Sequence, residues 1–189
     1  MRKQIENVCV YGLEESVRAS KFPMAIDTDD CDATITEGVV NRGRAQIGSA
    51  HDCYLKGIVV QFDLTMSIKM SVEMERYHFI DFVSSQSTMH RITKLDINAQ
   101  CNDYVTDQTK AIVRQLVQSY NADPTPENYL RLLYNVPTGF CLTARMTTSY
   151  LQLKTIYAQR HNHRLPEWRS FCEWIMTLPK FRELTDASI

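Results

Sequence analysis

The run at residues 56–66, KGIVVQFDLTM, constrains the fold more than any other stretch of this chain. Its β-branched and aromatic side chains suit a pleated, half-buried surface, and Gly57 marks the entry, so it predicts a strand. A shorter strand is expected at residues 7–11 (NVCVY), closed by Gly12 and followed by a helix in LEESVRAS. Residues 67–85 read as helix, because Ile68, Val72, Glu75 and Phe79 recur every three or four positions. Residues 106–120 predict a helix capped by Thr106 or Asp107, with Ile112, Val113, Leu116 and Val117 as its apolar face. NADPTP is a turn, and Thr125 at N-cap with Pro126 at N1 opens another helix that ends before Pro137.

Toward the C-terminus, Tyr150, Leu151, Leu153, Ile156 and Tyr157 lie at helical spacing and predict a helix over 147–159, with Met146 in the core beside it. A last helix starts at Leu165, carries Pro166 in its first turn, turns Phe171, Trp174 and Ile175 inward and stops at Pro179. Residues 35–47 fit neither period, and their glycines weaken a helix. Strands and helices mix without a βαβ rhythm, which predicts an α+β fold, a mixed or antiparallel sheet with packed helices. The 189 residues, without internal repeats, are expected to form a single domain over 1–189.

Charge and cysteine usage remove several classes of function. A net charge of −1 offers no global positive field, so a nucleic acid polymer is not the expected partner. No 18-residue apolar stretch occurs and MRKQIENVCVYG has too short an apolar run for a signal peptide, so no membrane association is expected. The six cysteines form no CxxC pair, which argues against a structural zinc site and a disulfide framework. A reducing, cytoplasmic setting follows. Cys9, Cys141 and Cys172 sit among apolar neighbours and read as small core residues. The acidic loop DTDDCD lacks the glycine and the terminal glutamate of a calcium loop and reads as solvated.

One cluster stands out chemically. In RHNHRLPEWR, Arg160, His161, His163 and Arg164 crowd a helix end just before Pro166. Cations near a helix C-terminus oppose its dipole, which accounts for one or two of them. An anion site would account for the whole group, and both readings stand at this point. His161 and His163 flank the helix end with no nearby carboxylate, so no metal site is expected. Ser84, Ser85, Gln86 and Ser87, with Arg91 beyond them, read either as a polar turn or as a phosphate cradle. Trp168 and Trp174, at helical spacing, are expected in the core or at a subunit interface.

Four collinear segments resemble the flavin-dependent thymidylate synthase family. Arg160, His163, Glu167 and Arg169 follow the order of that family's C-terminal Arg…His-Ala-Gln-x-Glu-Ile-Arg segment. AHDCYLKGIVVQF is similar to its Gly-His…strand segment, with His51 at the histidine. ERYHFIDFVSSQSTMHR occupies the place of the signature RHRxxSxxxSxR, and NVPTGFCLTARMTTSYLQLKTIYAQR resembles the Leu-Pro…Thr…Asn-x-Arg-Ser-Leu helix. Departures are visible. Arg76-Tyr77-His78 replaces Arg-His-Arg, Ser149 and Leu151 replace the Asn and Arg of Asn-x-Arg, and Leu133 lies where a phosphate-binding arginine is expected, two residues from Arg131.

The resemblance implies an α+β homotetramer holding FAD and a pyrimidine nucleotide, with NADPH and methylenetetrahydrofolate as co-substrates in the reductive methylation of dUMP. It implies that Arg160 grips and polarises the uracil as the catalytic arginine. Ser85, Gln86, Ser87 and Arg91 would bind substrate with it, and His51, Arg76, Tyr77 and His78 would bind the cofactor, Tyr77 and His78 by stacking. The degenerate signature motivates an alternative, a non-catalytic nucleotide-binding protein that retains the fold.

Overall fold

The computed structural model describes residues 3–185. In chain order it runs β1 (Ile5–Tyr11), α1 (Leu13–Ala19), α2 (Glu37–Arg44), β2 (Val59–Ser67), α3 (Ile68–Met74), β3 (Ile80–Ser85), α4 (Thr88–Arg91) and α5 (Ile97–Gln100). There follow α6 (Asp107–Ala122), α7 (Pro126–Tyr134), β4 (Cys141–Ser149), α8 (Tyr150–Arg160), α9 (Pro166–Ile175) and α10 (Phe181–Thr185). Short 3-10 turns occupy Phe22–Met24, Thr28–Asp30 and Cys53–Gly57. The strands form one four-stranded antiparallel sheet in the order β1-β2-β4-β3, so the class is α+β, as the mixed periodicities imply.

Local chemistry explains most boundaries. Side-chain oxygens of Thr36, Ser67, Thr106, Thr125 and Ser149 each accept the backbone N–H three residues on, capping α2, α3, α6, α7 and α8. Pro126 and Pro166 sit at the first helical position, where a missing N–H costs nothing. Gly12, at φ 70, makes the left-handed turn from β1 into α1.

Two departures from the expected elements have clear causes. Residues 67–85 are not one helix: α3 stops at Met74 and β3 follows. The buried positions of α3 are Met70 and Met74, while Val72 and Phe79, assigned to the inner face by spacing, are exposed. Helix 147–159 begins at Tyr150 instead, because residues up to Ser149 belong to β4, a strand that spacing did not predict. In β4 the inward residues are Ala144, Met146 and Thr148, and the small Ala144 and polar Thr148 hide the alternation. Ile112 on α6 is likewise exposed. Cys9 and Cys141 are only half-buried; Cys101 and Cys172 are the buried cysteines.

The chain gathers into two compact units. One comprises Leu64–Arg76 and Phe82–Arg145 with the segment up to Gln4; the other comprises Ile5–Asp63, Tyr77–Asp81 and the chain from Met146 onward. The first is built on Ile92, Ile97, Cys101, Val105, Val113, Leu132 and Phe140, with Leu116, Val117 and Leu133 packed against them. Fully burying an aliphatic or aromatic side chain of this kind stabilises by about 1.5–3 kcal/mol.

The second unit centres on an aromatic group. Phe62 of β2 lies 4.6 Å from Trp174 and 5.8 Å from Phe171 between ring centroids, and Trp168 meets Phe171 edge-on at 6.0 Å. Tyr150 packs edge-on against Phe181 and donates its hydroxyl to the Pro179 carbonyl at 2.6 Å. That contact docks α10, which continues the chain beyond the stop expected at Pro179. Lys154 on α8 donates to Asp52 Oδ2 at 2.7 Å and to the carbonyls of Gly43 and Ala45 at 2.9 and 2.6 Å. These bonds satisfy three acceptors at the end of α2 and the start of the Cys53–Gly57 turn. The α8 helix that carries Arg160 is thereby fixed at its middle.

Candidate functional site

The expected site residues fall into two groups, one in each unit. In the second unit the basic corner closes α8 and opens α9. The Arg169 guanidinium donates to the carbonyls of His163 and Arg164 at 2.7 and 3.1 Å, satisfying groups of the connection itself. His161 Nδ1 meets the Tyr157 carbonyl at 3.0 Å, its ring stacks on Tyr157 at 5.5 Å, and Nε2 accepts from the Asn162 amide at 2.9 Å. His163 Nδ1 accepts the Leu165 N–H at 3.2 Å. Both imidazoles therefore serve the turn. Among the described residues no group of three His, Cys, Asp or Glu side chains is arranged to hold a metal ion.

Arg160 is treated differently by the fold. Its Nε donates to the Tyr77 hydroxyl at 2.7 Å, and that hydroxyl donates to Gln159 Oε1 at 3.0 Å. The guanidinium carbon lies 5.0 Å from the Trp168 ring centroid and 5.6 Å from that of Tyr77. A cation in that position is attracted by both ring faces, by about 0.5–1 kcal/mol each where exposed and more where desolvated. Trp168 is fully buried and Tyr77 nearly so, so both supports are themselves fixed. The Cys172 thiol nearby is pushed up from its ordinary 9.0 to about 12, by burial first, with Arg160 acting in the opposite sense. It is an inert core thiol.

Of the remaining residues in this unit, His78 is exposed beside Tyr77, and His51 is exposed ahead of the Cys53–Gly57 turn. In the first unit, Gln86 closes the end of β3. Its N–H donates to the Thr143 carbonyl and its Oε1 accepts the Thr143 N–H, both at 2.9 Å, which extends the pairing with β4 by one side chain. Gln86 is thus a strand-end clamp in this structure. Ser87 Oγ pairs with His90 Nδ1 at 3.0 Å, and the backbone N–H of Arg91 reaches the Ser87 carbonyl at 3.1 Å. Ser85, Arg91 and Arg76 are exposed.

Sequence reasoning missed four participants. Gln159 anchors Tyr77, His90 partners Ser87, and the Lys154–Asp52 pair sets the helix. Only Lys154 left a signal: it falls on the buried phase of α8 with Tyr150, Leu153 and Ile156, where a lysine needs a partner.

The fold and the site define a class: an α+β chain on a four-stranded antiparallel sheet, with an arginine held between aromatic rings where α8 ends. No family model and no curated protein matches the sequence. Among solved structures the chain is similar to the flavin-dependent thymidylate synthase ThyX of Helicobacter pylori complexed with FAD and dUMP, at TM-score 0.72 and 11% identity, over 98% of this chain and 99% of that one. A second structure of the Helicobacter pylori enzyme with FAD and dUMP gives TM-score 0.71 and 12% identity, over 96% of this chain and 98% of that one. The UMP/dUMP methylase PolB of Streptomyces cacaoi, bound with 5-Br dUMP, gives TM-score 0.57 and 17% identity, over 98% of this chain and 91% of that one. At these identities the likeness is one of fold.

Proposed function

We propose that this chain is a flavin-dependent nucleotide-modifying enzyme that binds FAD and methylates dUMP or a related pyrimidine nucleotide. The observation that carries the reading is Arg160, held by Tyr77 and Trp168 at the end of α8 in a fold shared with proteins whose structures contain FAD, dUMP or 5-Br dUMP. A guanidinium is planar and permanently charged, so it can meet the carbonyl oxygens of a uracil ring and stabilise charge that gathers on them. Arg160 is the catalytic residue of this reading.

Ser85, Gln86, Ser87 and Arg91 take the substrate with Arg160, and His51, Arg76, Tyr77 and His78 take the cofactor. Arg76 and Arg91 are exposed guanidinium groups, and His51 and His78 exposed planar rings, the donor chemistry that phosphates and a flat heteroaromatic ring require. FAD, when bound, supplies the redox step, and the protein's part is to bind, orient and neutralise charge. NADPH and methylenetetrahydrofolate are the proposed co-substrates, a homotetramer the proposed assembly, the whole chain 1–189 one functional domain, and the cytoplasm its setting. Among the described residues no helix is long and apolar enough to cross a membrane.

The test is direct. The purified protein, supplied with FAD, NADPH, methylenetetrahydrofolate and dUMP, converts dUMP to a product in which a methyl group replaces one hydrogen, read by mass spectrometry as the gain of one CH2 unit. UMP is run in parallel. No conversion of either nucleotide counts against catalysis.

A second reading has its own support: the signature arginines are thinned to Arg76-Tyr77-His78, and the Tyr77 hydroxyl is spent inside the fold. A non-catalytic nucleotide-binding protein would bind dUMP in a calorimeter without FAD and show no turnover.

A further inference from the structure

We infer that His90 is the positioning residue for Ser87, donating its Nδ1–H to the serine oxygen so that the hydroxyl turns its own proton to the phosphate of the nucleotide. The inference rests on the functional reading above, which gives Ser87 and Arg91 to the substrate, and three observations carry it. First, Ser87 Oγ and His90 Nδ1 lie 3.0 Å apart, and Ser87 makes no capping bond to α4, so its side chain answers to His90 alone. Second, the segment that carries them is held along its length. Gln86 is clamped to Thr143 through backbone and side chain, Ile92 is fully buried, and between them the Tyr129 hydroxyl donates to the Met89 carbonyl. Tyr129 is itself packed on Tyr120, at 5.0 Å between ring centroids. Third, positions 87, 90 and 91 stand at i, i+3 and i+4, so they share one face of the turn, and the exposed Arg91 brings a permanent positive charge to it. All of these residues belong to the first unit.

A serine hydroxyl has one proton, and an imidazole nitrogen either donates or accepts. Were the serine proton given to Nδ1, the hydroxyl would turn only lone pairs toward the oxygens of an anion. With a proton on Nδ1 the order reverses: histidine donates, the serine oxygen accepts, and the serine proton faces the ligand. The oxygens of a phosphate dianion only accept, so they bind the second arrangement. No described residue meets His90 Nε2, so the fold holds neither tautomer and the bound phosphate selects between them. A hydroxyl aimed in advance also loses less freedom when the ligand arrives. His90 thus acts on the nucleotide through Ser87.

Calorimetry with dUMP, FAD being present throughout, compares wild type with His90→Ala, His90→Asn, Ser87→Ala and the double variant His90→Ala with Ser87→Ala. Ser87→Ala is expected to raise the dUMP Kd about tenfold, the scale of one charge-assisted hydrogen bond, and His90→Ala about fivefold. His90→Asn puts an amide N–H in the place of Nδ1 without a charge, and its Kd is expected to stay within about twofold of wild type. The double variant binds as Ser87→Ala does, because His90 then has nothing to position. Inorganic phosphate, titrated as a competitor of dUMP, weakens about fivefold in His90→Ala, as dUMP itself does. The unfolding midpoint of His90→Ala holds within about 2 °C, inside the shift that about 1 kcal/mol of lost stability would give. Should His90→Ala fold poorly, His90→Phe keeps a ring, deletes both nitrogens and carries the same expectation. Four results overturn the inference. Full additivity in the double variant means that His90 meets the nucleotide itself. An asparagine variant as weak as alanine means that the hydrogen bond is not what acts. A midpoint that falls with affinity means support of the fold alone. Phosphate competition that is absent, or untouched by His90→Ala, puts the contact elsewhere on the nucleotide. If His90→Ala or Ser87→Ala binds dUMP as tightly as wild type, the positioning role falls and the functional reading stands. If wild type binds no dUMP, the functional reading falls and takes this role with it.

Discussion

Arg160 shows how much a single side chain owes to residues far from it in sequence. Its position at the end of a helix was readable from RHNHR, and so was its company of cations. Its partner Tyr77, 83 positions away, was not, because a hydrogen bond between two helix-and-turn residues leaves no periodic trace. The structure also separates the four charged or titratable groups that the sequence presents as one cluster. Of Arg160, His161, His163 and Arg164, the two imidazoles bind backbone groups of the turn, the Arg164 carbonyl accepts from Arg169, and Arg160 turns to aromatic rings. The cysteines separate as well. Cys53 is exposed, whereas Cys172 and Cys101 are buried with their thiols pushed up by desolvation. A thiolate is the nucleophile, so a maleimide reagent at neutral pH is expected to modify Cys53 in the native protein and to spare Cys101 and Cys172 until denaturant is added. Peptide mapping of the labelled protein checks this. Native labelling of Cys172 would contradict its burial.

At the scale of elements, legibility followed side-chain chemistry. Strand β2 was plain because Val60, Phe62, Leu64 and Met66 alternate inward on a β-branched background. The neighbouring β4 was not, since small Ala144 and polar Thr148 leave Met146 as the one large apolar residue among its buried positions, and the helical spacing of α8 begins immediately after. Edge strand β3 exposes Phe82 and Val83, so it has no buried alternation to read. The α6 and α7 helices announced themselves through Thr106, Thr125 and Pro126, since caps are local in sequence.

What holds α8 is non-local: Lys154, with its side chain 9% exposed, faces Asp52 at 2%. Removing one partner of such a pair leaves a buried charge uncompensated. Lys154→Met is therefore expected to cost about 3–5 kcal/mol in denaturant unfolding. The double variant Lys154→Met with Asp52→Asn should recover part of that loss. A single variant as stable as wild type would show that the pair contributes nothing. Gly43→Ala is expected to destabilise the same region, because a Cβ there would collide with the Leu184 carbonyl and the Tyr54 hydroxyl.

For the whole molecule, two titrations set a pH limit. The Cys172 thiol moves from 9.0 to about 12 and the Tyr54 hydroxyl from 10.0 to about 12, each by burial first. In the folded state both keep protons that the unfolded chain releases above about pH 9, so unfolding becomes progressively easier from there to about pH 12. Below pH 9.0 their contribution is fully present. The denaturant midpoint is expected to fall between pH 8 and pH 10.5, and less steeply in Cys172→Ala; a flat profile would contradict the buried neutral groups. The α+β class was legible from mixed periodicities, and the likeness to ThyX structures extends over 98% of the chain at 11% identity. Chains of such different sequence can share a backbone arrangement because packing tolerates substitution that keeps volume and pattern. Ligand contacts are less forgiving, and Arg76-Tyr77-His78 is where this chain departs from the resembled signature. The central claim is flavin-dependent action on a pyrimidine nucleotide. The most direct test is the absorption spectrum of the purified protein after FAD is added and excess removed, before and after dUMP. The account predicts a retained flavin band that dUMP perturbs. A colourless protein that does not retain FAD would contradict it.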